Sequence, residues 1–356
     1  VTGTEKFPRS SGVRILSVGT ANPPRKYTQQ EVLDLYREKD WKIRSIFLGG
    51  HIETRHLYLP EPNNGTMPDE TPQELIEKHL RGSLEIGPQA IEECLEPLGL
   101  APYDIDYLCC ISTTGFLCPG LSAHLVKAMG FRENVQRADI LGMGCNAGLN
   151  GLQAAAHFAH AYPGKRALLV CIEICSAAYV YNRTLNTAVV NSLFGDGAAA
   201  VLLSTDHGDG ALAPRIVDFE SHIIPQAIRA MRFDLEDNKW SFYLDRDIPY
   251  VIGLNVRKPV ARLLGRHQLK IRHIKHWLVH SGGKKVIDAI AYNLGITRHD
   301  LRHTISILRH YGNLSSASFL FSYKELCREQ VVARGDLGVA VTMGPGTTIE
   351  TALLEW

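Results

Sequence analysis

The stretch GMGCNAGLNG, residues 142–151, sets a cysteine between glycines, after a strand-like apolar run at 135–141 and before an alanine-rich run. At a helix N-terminus, unpaired N–H groups and the helix dipole would stabilise the thiolate of Cys145, and a cationic histidine nearby would bring its pKa below the free value of about 8.5. The alternative is a small buried packing residue. HWLVHSGGKKVIDA at 276–289 puts His280 at a strand end, ahead of a glycine turn and a new helix. Sites in α/β folds gather beyond the carboxyl ends of strands, so His280 could ionise the thiol or donate a proton to a substrate oxygen. RHYGNLSSASF at 309–319 places Asn313 ahead of another helix. It is either an N-cap or, with its NH2 beside the His280 donor, half of a pocket for a developing oxyanion.

Weaker candidates surround these three. Lys284 and Lys285 open the helix after the glycine turn and would hold phosphate there, or simply be solvated. Phe194, in SLFGDGAAA, reads as core or as the lining of a passage. Arg55, in HIETRHLYL, reads as an anion contact near an entrance or as a surface ion pair. Gly142-x-Gly144-x-x-Ala147, with Glu173 at the end of the next strand, imitates a dinucleotide fingerprint. A thiolate against a pyrophosphate is repelled, however, and that reading has no use for the matching position Asn313.

The elements that must position these residues occur in the same order twice, a pattern that implies duplicated halves. A helix over 86–98 leads through YDID into a strand at 107–111 and a short helix at 121–129; a helix over 254–264 leads through RHIK into a strand at 276–279 and a helix at 284–293. The 135–141 strand, Cys145 and a helix at 147–161 are matched by a strand expected at 304–308, Asn313 and a helix at 314–328. Each copy closes on a related strand, FGDGAAAVLL from Phe194 and RGDLGVAVTM from Arg334. Alternating strands and helices predict α/β layering with sheets covered on both faces. The 147–161 helix, small and apolar almost all round, predicts burial between two sheets. The expectation is a five-layer stack of two halves, residues 1–205 carrying Cys145 and residues 206–356 carrying His280 and Asn313, with the three residues meeting near the pseudo-twofold axis. The clearest loops are 58–71 and 206–214, the second marking the boundary.

At 356 residues, 45% hydrophobic and with 38 basic against 37 acidic side chains, the chain can bury a full core and has no electrostatic reason to bind nucleic acid or an anionic membrane. Any polyanionic ligand must be held by a local cluster. No apolar run approaches the roughly 20 residues of a membrane span, and the polar start at 1–12 lacks a signal-peptide core, so the cytoplasm is the expected location. Whether Val1 is the natural start is left open. Eight cysteines without framework spacing, and no second pair to match Cys171 and Cys175, argue against disulfides and structural zinc.

With a cysteine at a helix start followed in order by LFGDGAAA, WLVHSGG, YGNLSSASF and the terminal MGPGTTIETAL, the chain resembles the type III polyketide synthases of the thiolase superfamily through nearly its whole length. That resemblance implies a duplicated thiolase-like αβαβα fold, a homodimer, a triad of Cys145, His280 and Asn313, and Phe194 at a tunnel junction. It implies that Thr114 and Cys118, in STTGFLCPG, sit at the cavity wall and near the dimer contact. Gly282 and Gly283 would flank a coenzyme A tunnel, with Arg55, Lys284 and Lys285 toward the anionic end. Coenzyme A thioesters would be substrates, with no tightly bound cofactor and no metal.

The chain departs from the plant chalcone synthase pattern: Cys145 is followed by Asn146-Ala147-Gly148-Leu149 rather than Phe-Ala-Gly-Gly, His280 by Ser281 rather than Pro, and Thr342-Met343 precede Gly344 where that family usually has Gly-Phe. GMGCNAGLNGL, CIEICSAAYV, TAVVNSLFGDGAAA and VHSGGKKVIDA are instead similar to a bacterial branch that makes 3,5-dihydroxyphenylacetyl-CoA for dihydroxyphenylglycine in glycopeptide-antibiotic biosynthesis. This branch implies malonyl-CoA as starter and extender, four units joined by iterative decarboxylative Claisen condensation and closed by an aldol step, the product leaving as thioester or free acid, with or without pathway helper enzymes. A single-round ketoacyl synthase III-like enzyme and, more remotely, a Cys/His/Asn thioester hydrolase use the same residue types.

Overall fold

Strands Tyr107–Ile111, Ala167–Glu173 and Gly197–Ser204 are buried at nearly every position, which only a sheet covered on both faces allows. In the computed structural model, which describes residues 12–178, 180–206, 212–236 and 238–356, they form a sheet in the order Arg14–Ala21, Gly197–Ser204, Ala167–Glu173, Tyr107–Ile111, Gln136–Ile140. Arg215–Ile223, Thr348–Glu355, Leu337–Gly344 and His276–Val279 form the sheet of the second half in that order. The two run on into one nine-stranded sheet, joined where Arg14 pairs with Arg215 and where Ile15 N–H and Ile216 N–H donate to the Pro214 and Val13 carbonyls at 3.0 and 2.9 Å.

Between the sheets run the helices Ala147–Ala161 and Ser318–Glu329. One core joins both to both sheets: Leu152 and Ala156 from the first helix, Phe319 and Leu320 from the second, Cys171 and Val201 from one sheet, Ala340 and Ala352 from the other. Pro72–Leu95 and Leu121–Met129 cover the far face of the first sheet; Ile248–Arg266 and Lys284–Leu294 cover that of the second. Helix, sheet, helix, sheet, helix is the duplicated αβαβα arrangement.

The central helices start almost in contact. A Cβ on Gly148 would stand 2.2 Å from the Ser316 carbonyl oxygen and 2.8 Å from the Phe319 ring. Gly148→Ala should therefore cost about 1–3 kcal/mol through overpacking, read as a fall in the thermal midpoint; an unchanged midpoint would show that the helix starts can part freely.

Three expectations need correction. Residues 304–308 are not a strand but part of the helix Arg302–Tyr311. The run Ile305-Ser306-Ile307-Leu308 has strand-like branching, yet His303, Thr304, Ile307 and Leu308 bury one helical side, and among the described residues the second half contributes four strands where the first contributes five. The helix expected from 86 starts at Pro72, where Thr71 and Glu74 form a capping box. The helix expected over 254–264 spans Ile248–Arg266. Of the segments read from sequence, 1–11 and 207–211 lie outside the described residues.

Candidate active site

The chain leaves Gln136–Ile140 through Gly142 and Gly144, both at positive φ (+77° and +69°). A Cβ on Gly144 would stand 2.1 Å from Pro345, so glycine is what lets the turn at 345–347 pack against the residue before the cysteine. One turn of 3-10 helix, Gly144–Asn146, then feeds Ala147–Ala161 and sets Cys145 at a helix start. His280 follows the strand His276–Val279 and is held through its backbone N–H to the Val341 carbonyl at 2.9 Å.

Asn313 follows the helix Arg302–Tyr311 and is tied to the first half: its N–H donates to the Leu193 carbonyl at 2.9 Å and its carbonyl accepts from Gly195 N–H at 3.0 Å, in a bridge with Phe194. Its Oδ1 accepts from Ser315 N–H at 2.8 Å and from Ser318 Oγ at 3.4 Å. The carboxamide oxygen thus serves the following helix, which leaves the NH2 as the end that helps hold a negative charge on Cys145.

Cys145, Phe194, His280 and Asn313 line one cavity of about 460 Å³, together with Gly282, Gly283, Lys284 and Lys285. Ile52, Met231, Phe242 and Met343 supply much of its apolar wall. Phe194 meets Phe242 edge-on, with ring centroids 5.8 Å apart.

The resting charges differ from the expected thiolate beside a cationic histidine. Burial pushes the Cys145 thiol up to about 12, against the hydrogen bond donated by Ser315 Oγ at 3.5 Å. His280, 2% exposed, is pushed down to about 3 by burial alone. Desolvation penalises the charged form of both groups, which favours a neutral thiol and a neutral imidazole. Because the thiolate is the species that reacts with alkylating agents, inactivation by iodoacetamide should climb with pH, by roughly tenfold per unit, from about pH 6 to 9. A plateau across that range would instead reveal a stable ion pair.

A buried carboxylate that the sequence suggested only as part of the dinucleotide decoy lies behind the thiol. Glu173 accepts from Thr113 N–H and Thr114 Oγ1, each at 3.0 Å, and from Ser316 Oγ. Thr113 Oγ1 is 2.9 Å from Ser315 Oγ, which in turn reaches Cys145. Burial holds the Glu173 carboxyl above its ordinary range. Sealed under these hydroxyls it cannot meet a ribose, and Pro345 fills the space above Gly144 that a pyrophosphate would need. The only signal for this network was the Ser315-Ser316 pair itself, which without coordinates is an ordinary helix start.

Two expected positions move. Thr114 is not part of the cavity lining: its hydroxyl donates to Glu173 and accepts from Ile174 N–H at 2.9 Å, joining two strand ends inside the fold. Arg55 is not an entrance contact. As the middle residue of Thr54–His56 it points inward and is 2% exposed. Nη1 donates to the Asn191 and Phe194 carbonyls at 2.5 and 2.7 Å, and Nη2 to Gln29 Oε1 at 2.7 Å, while burial lowers its pKa to about 10. It braces Phe194 from behind. Cys118 is exposed, next to Pro119.

A five-layer duplicated fold with a cysteine at the start of one central helix defines a thiolase-type condensing enzyme, and comparison with known proteins narrows the class. Residues 4–207 match the N-terminal domain, and residues 216–356 the C-terminal domain, of chalcone and stilbene synthases. The chain belongs to that family, the type III polyketide synthases, and is an acyltransferase. It is 50% identical over 350 residues, 96% of this chain and 90% of the relative, to a 3,5-dihydroxyphenylacetyl-CoA synthase from Streptomyces toyocaensis. It is 50% identical over 347 residues, 96% and 93% of the two chains, to the enzyme of the same name from Amycolatopsis orientalis. Among solved structures it superposes on 1,3,6,8-tetrahydroxynaphthalene synthase from Streptomyces coelicolor A3(2), a bacterial type III polyketide synthase, with a TM-score of 0.88 and 27% identity over 96% and 99% of the two chains. Among the described residues no helix is long and apolar enough to cross a membrane.

Proposed function

We propose that this enzyme makes 3,5-dihydroxyphenylacetyl-CoA, or the free acid, from four malonyl-CoA units. The observation that carries the reading is identity at half of all positions, over nearly the whole chain, with enzymes of that name. Synthases of tetrahydroxynaphthalene stand at 29–30%. The cavity supports the chemistry because it gathers, from both halves, a nucleophile and two neutral hydrogen-bond donors.

In the proposed cycle the Cys145 proton passes to His280 as Sγ attacks the thioester carbonyl; the imidazolium then gives that proton to the departing coenzyme A thiolate. A high thiol pKa and a low imidazole pKa make this charge separation transient, which leaves the imidazole neutral for the next step. Among the described residues no group bonds His280 Nδ1, so the ring is free to carry its proton on Nε2, on the side of Gly282. A second malonyl-CoA loses CO2, and the electron pair of the broken C–C bond becomes an enolate whose oxygen accepts from His280 Nε2–H and the Asn313 NH2. The carbanion attacks the thioester on Cys145, the sulfur leaves, and the lengthened chain, now on coenzyme A, returns to Cys145 for the next round. The starter unit also gives up its carboxyl as CO2, so after three extensions an eight-carbon chain closes by an aldol step with loss of water to form the ring. Lys284 and Lys285, beside the Gly282-Gly283 turn, are assigned to the substrate's coenzyme A portion. A homodimer with Cys118 near its contact, and a cytoplasmic location, belong to the same proposal.

Incubation with malonyl-CoA alone, followed by mass spectrometry, tests it. The expected product is 3,5-dihydroxyphenylacetate or its thioester; acetoacetyl-CoA alone, or an uncyclised pyrone alone, would overturn it.

A further inference from the structure

The hydrogen bonds behind Cys145 do not end at Glu173. Thr114 Oγ1 lies 3.3 Å from Ser112 Oγ, which lies 2.9 Å from Nε2 of His79, on the helix Pro72–Leu95. His79 is 1% exposed, and burial alone pushes its imidazole down to about 4. Lys78 beside it is spent on Glu70 and the Ser176 carbonyl. A Cβ on Gly115 would stand 2.0 Å from the His79 ring, so the glycine lets the 112–115 segment lie against it. Each hydroxyl has one proton, which fixes the direction of this arm. Thr114 donates to Glu173 and accepts from Ile174 N–H, so Ser112 donates to Thr114 and His79 Nε2–H donates to Ser112. Nδ1 is left to accept from Ser83 Oγ at 3.5 Å. The arm on the cysteine side has no such fixed direction. Thr113 Oγ1 bonds Glu173 at 3.0 Å and Ser315 Oγ at 2.9 Å, and Ser315 Oγ bonds Cys145 Sγ at 3.5 Å. Beside a neutral thiol, the Cys145, Ser315 and Thr113 protons all point toward Glu173. Beside a thiolate, Ser315 must turn its proton to sulfur, and Thr113 must turn its own from Glu173 to Ser315.

We propose that His79 is a positioning residue for the reactive cysteine: its donor commits Ser112 and Thr114 to Glu173, and so frees Thr113 and Ser315 to follow the charge on Cys145. The inference rests on the reading of Cys145 as the nucleophile. Of the titratable groups around that sulfur, burial favours neutral His280 and Cys175, which leaves Glu173 as the charge opposing a thiolate. The two anions draw on the same hydroxyls. Glu173 can release the Thr113 hydroxyl only while the Thr114 and Ser316 hydroxyls and Thr113 N–H stay on it, because a buried carboxylate short of donors is costly. Without a donor at residue 79, Ser112 is free to accept from Thr114 instead, and Glu173 then holds Thr113 back.

The test is the rate at which iodoacetamide modifies Cys145 between about pH 6 and 9, followed by mass spectrometry of the peptide that carries it. His79→Leu should slow that reaction about fivefold at every pH, the factor that one net hydrogen bond carries. His79→Gln, which can place an N–H near the position of Nε2, should recover most of the rate. Ser112→Ala cuts the same arm without touching the Pro72–Leu95 helix, so it should match His79→Leu and stands in for it where the leucine variant does not fold. A residue that merely packs would lower the thermal midpoint and leave the rate alone. Parent-like rates in both His79→Leu and Ser112→Ala, or glutamine as slow as leucine, would overturn the role of His79 while leaving the nucleophile intact. If Cys145 of the parent enzyme resists iodoacetamide, the nucleophile reading fails and the positioning role with it.

Discussion

Cys145→Ala should stop chain growth completely while leaving malonyl-CoA decarboxylation measurable. The two activities separate because they draw on different halves of the fold. Acyl transfer needs Sγ, which the first half supplies at the start of Ala147–Ala161. Enolate formation needs two N–H donors, which the second half supplies through His280 and Asn313. Removing Sγ loses the 3.5 Å bond from Ser315 and the interaction with the Asn313 side chain, and otherwise leaves a small buried side chain where one was before. Polyketide formation should fall by on the order of 10⁴-fold or more, the scale on which loss of a nucleophile is felt. CO2 released from labelled malonyl-CoA should persist. If polyketide formation continued, residue 145 would be packing and the proposed cycle would have no acyl carrier; if both activities vanished, the nucleophile and the decarboxylation donors would not be separable as described.

The second large effect belongs to Asn313. Loss of one oxyanion donor typically lowers the rate by about 10²–10³, and Asn313→Ala should fall in that range for both decarboxylation and condensation. The same side chain also caps Ser315 N–H at 2.8 Å, and removing a cap costs about 1 kcal/mol, so a fall in thermal midpoint is expected alongside. Asn313→Ser separates the two roles. A serine retains an oxygen able to cap the helix but loses the NH2, so it should recover much of the midpoint and remain slow. Near-parent turnover in either variant would reduce Asn313 to a helix cap.

Both predictions depend on a convergence of distant segments that local patterns suggested only in part. The repeat was legible because it is written in alternation: an apolar run, a glycine turn, a helix. It placed Cys145 and Asn313 at matching helix starts and His280 after a strand, which is where they lie. The same reading misplaced residues 304–308, because four residues with branched and apolar side chains satisfy a strand and one face of a helix equally. Arg55 misled for a similar reason. A charged side chain is expected at a surface, and nothing local announces that the Asn191 and Phe194 carbonyls, far along the chain, will accept its donors.

What the sequence determined by itself is the class of layers, the doubling of the halves and the choice of Cys145, His280 and Asn313 as candidates, all of which follow from short-range periodicity and from motifs a few residues long. What only the tertiary structure decided is the state and company of those side chains: a neutral thiol and imidazole rather than an ion pair, Glu173 joined to Cys145 through Thr113 and Ser315, and an arginine spent on bracing Phe194. Desolvation and buried hydrogen bonding depend on every atom packed around a group, and most of those atoms come from segments separated in sequence by tens to hundreds of residues.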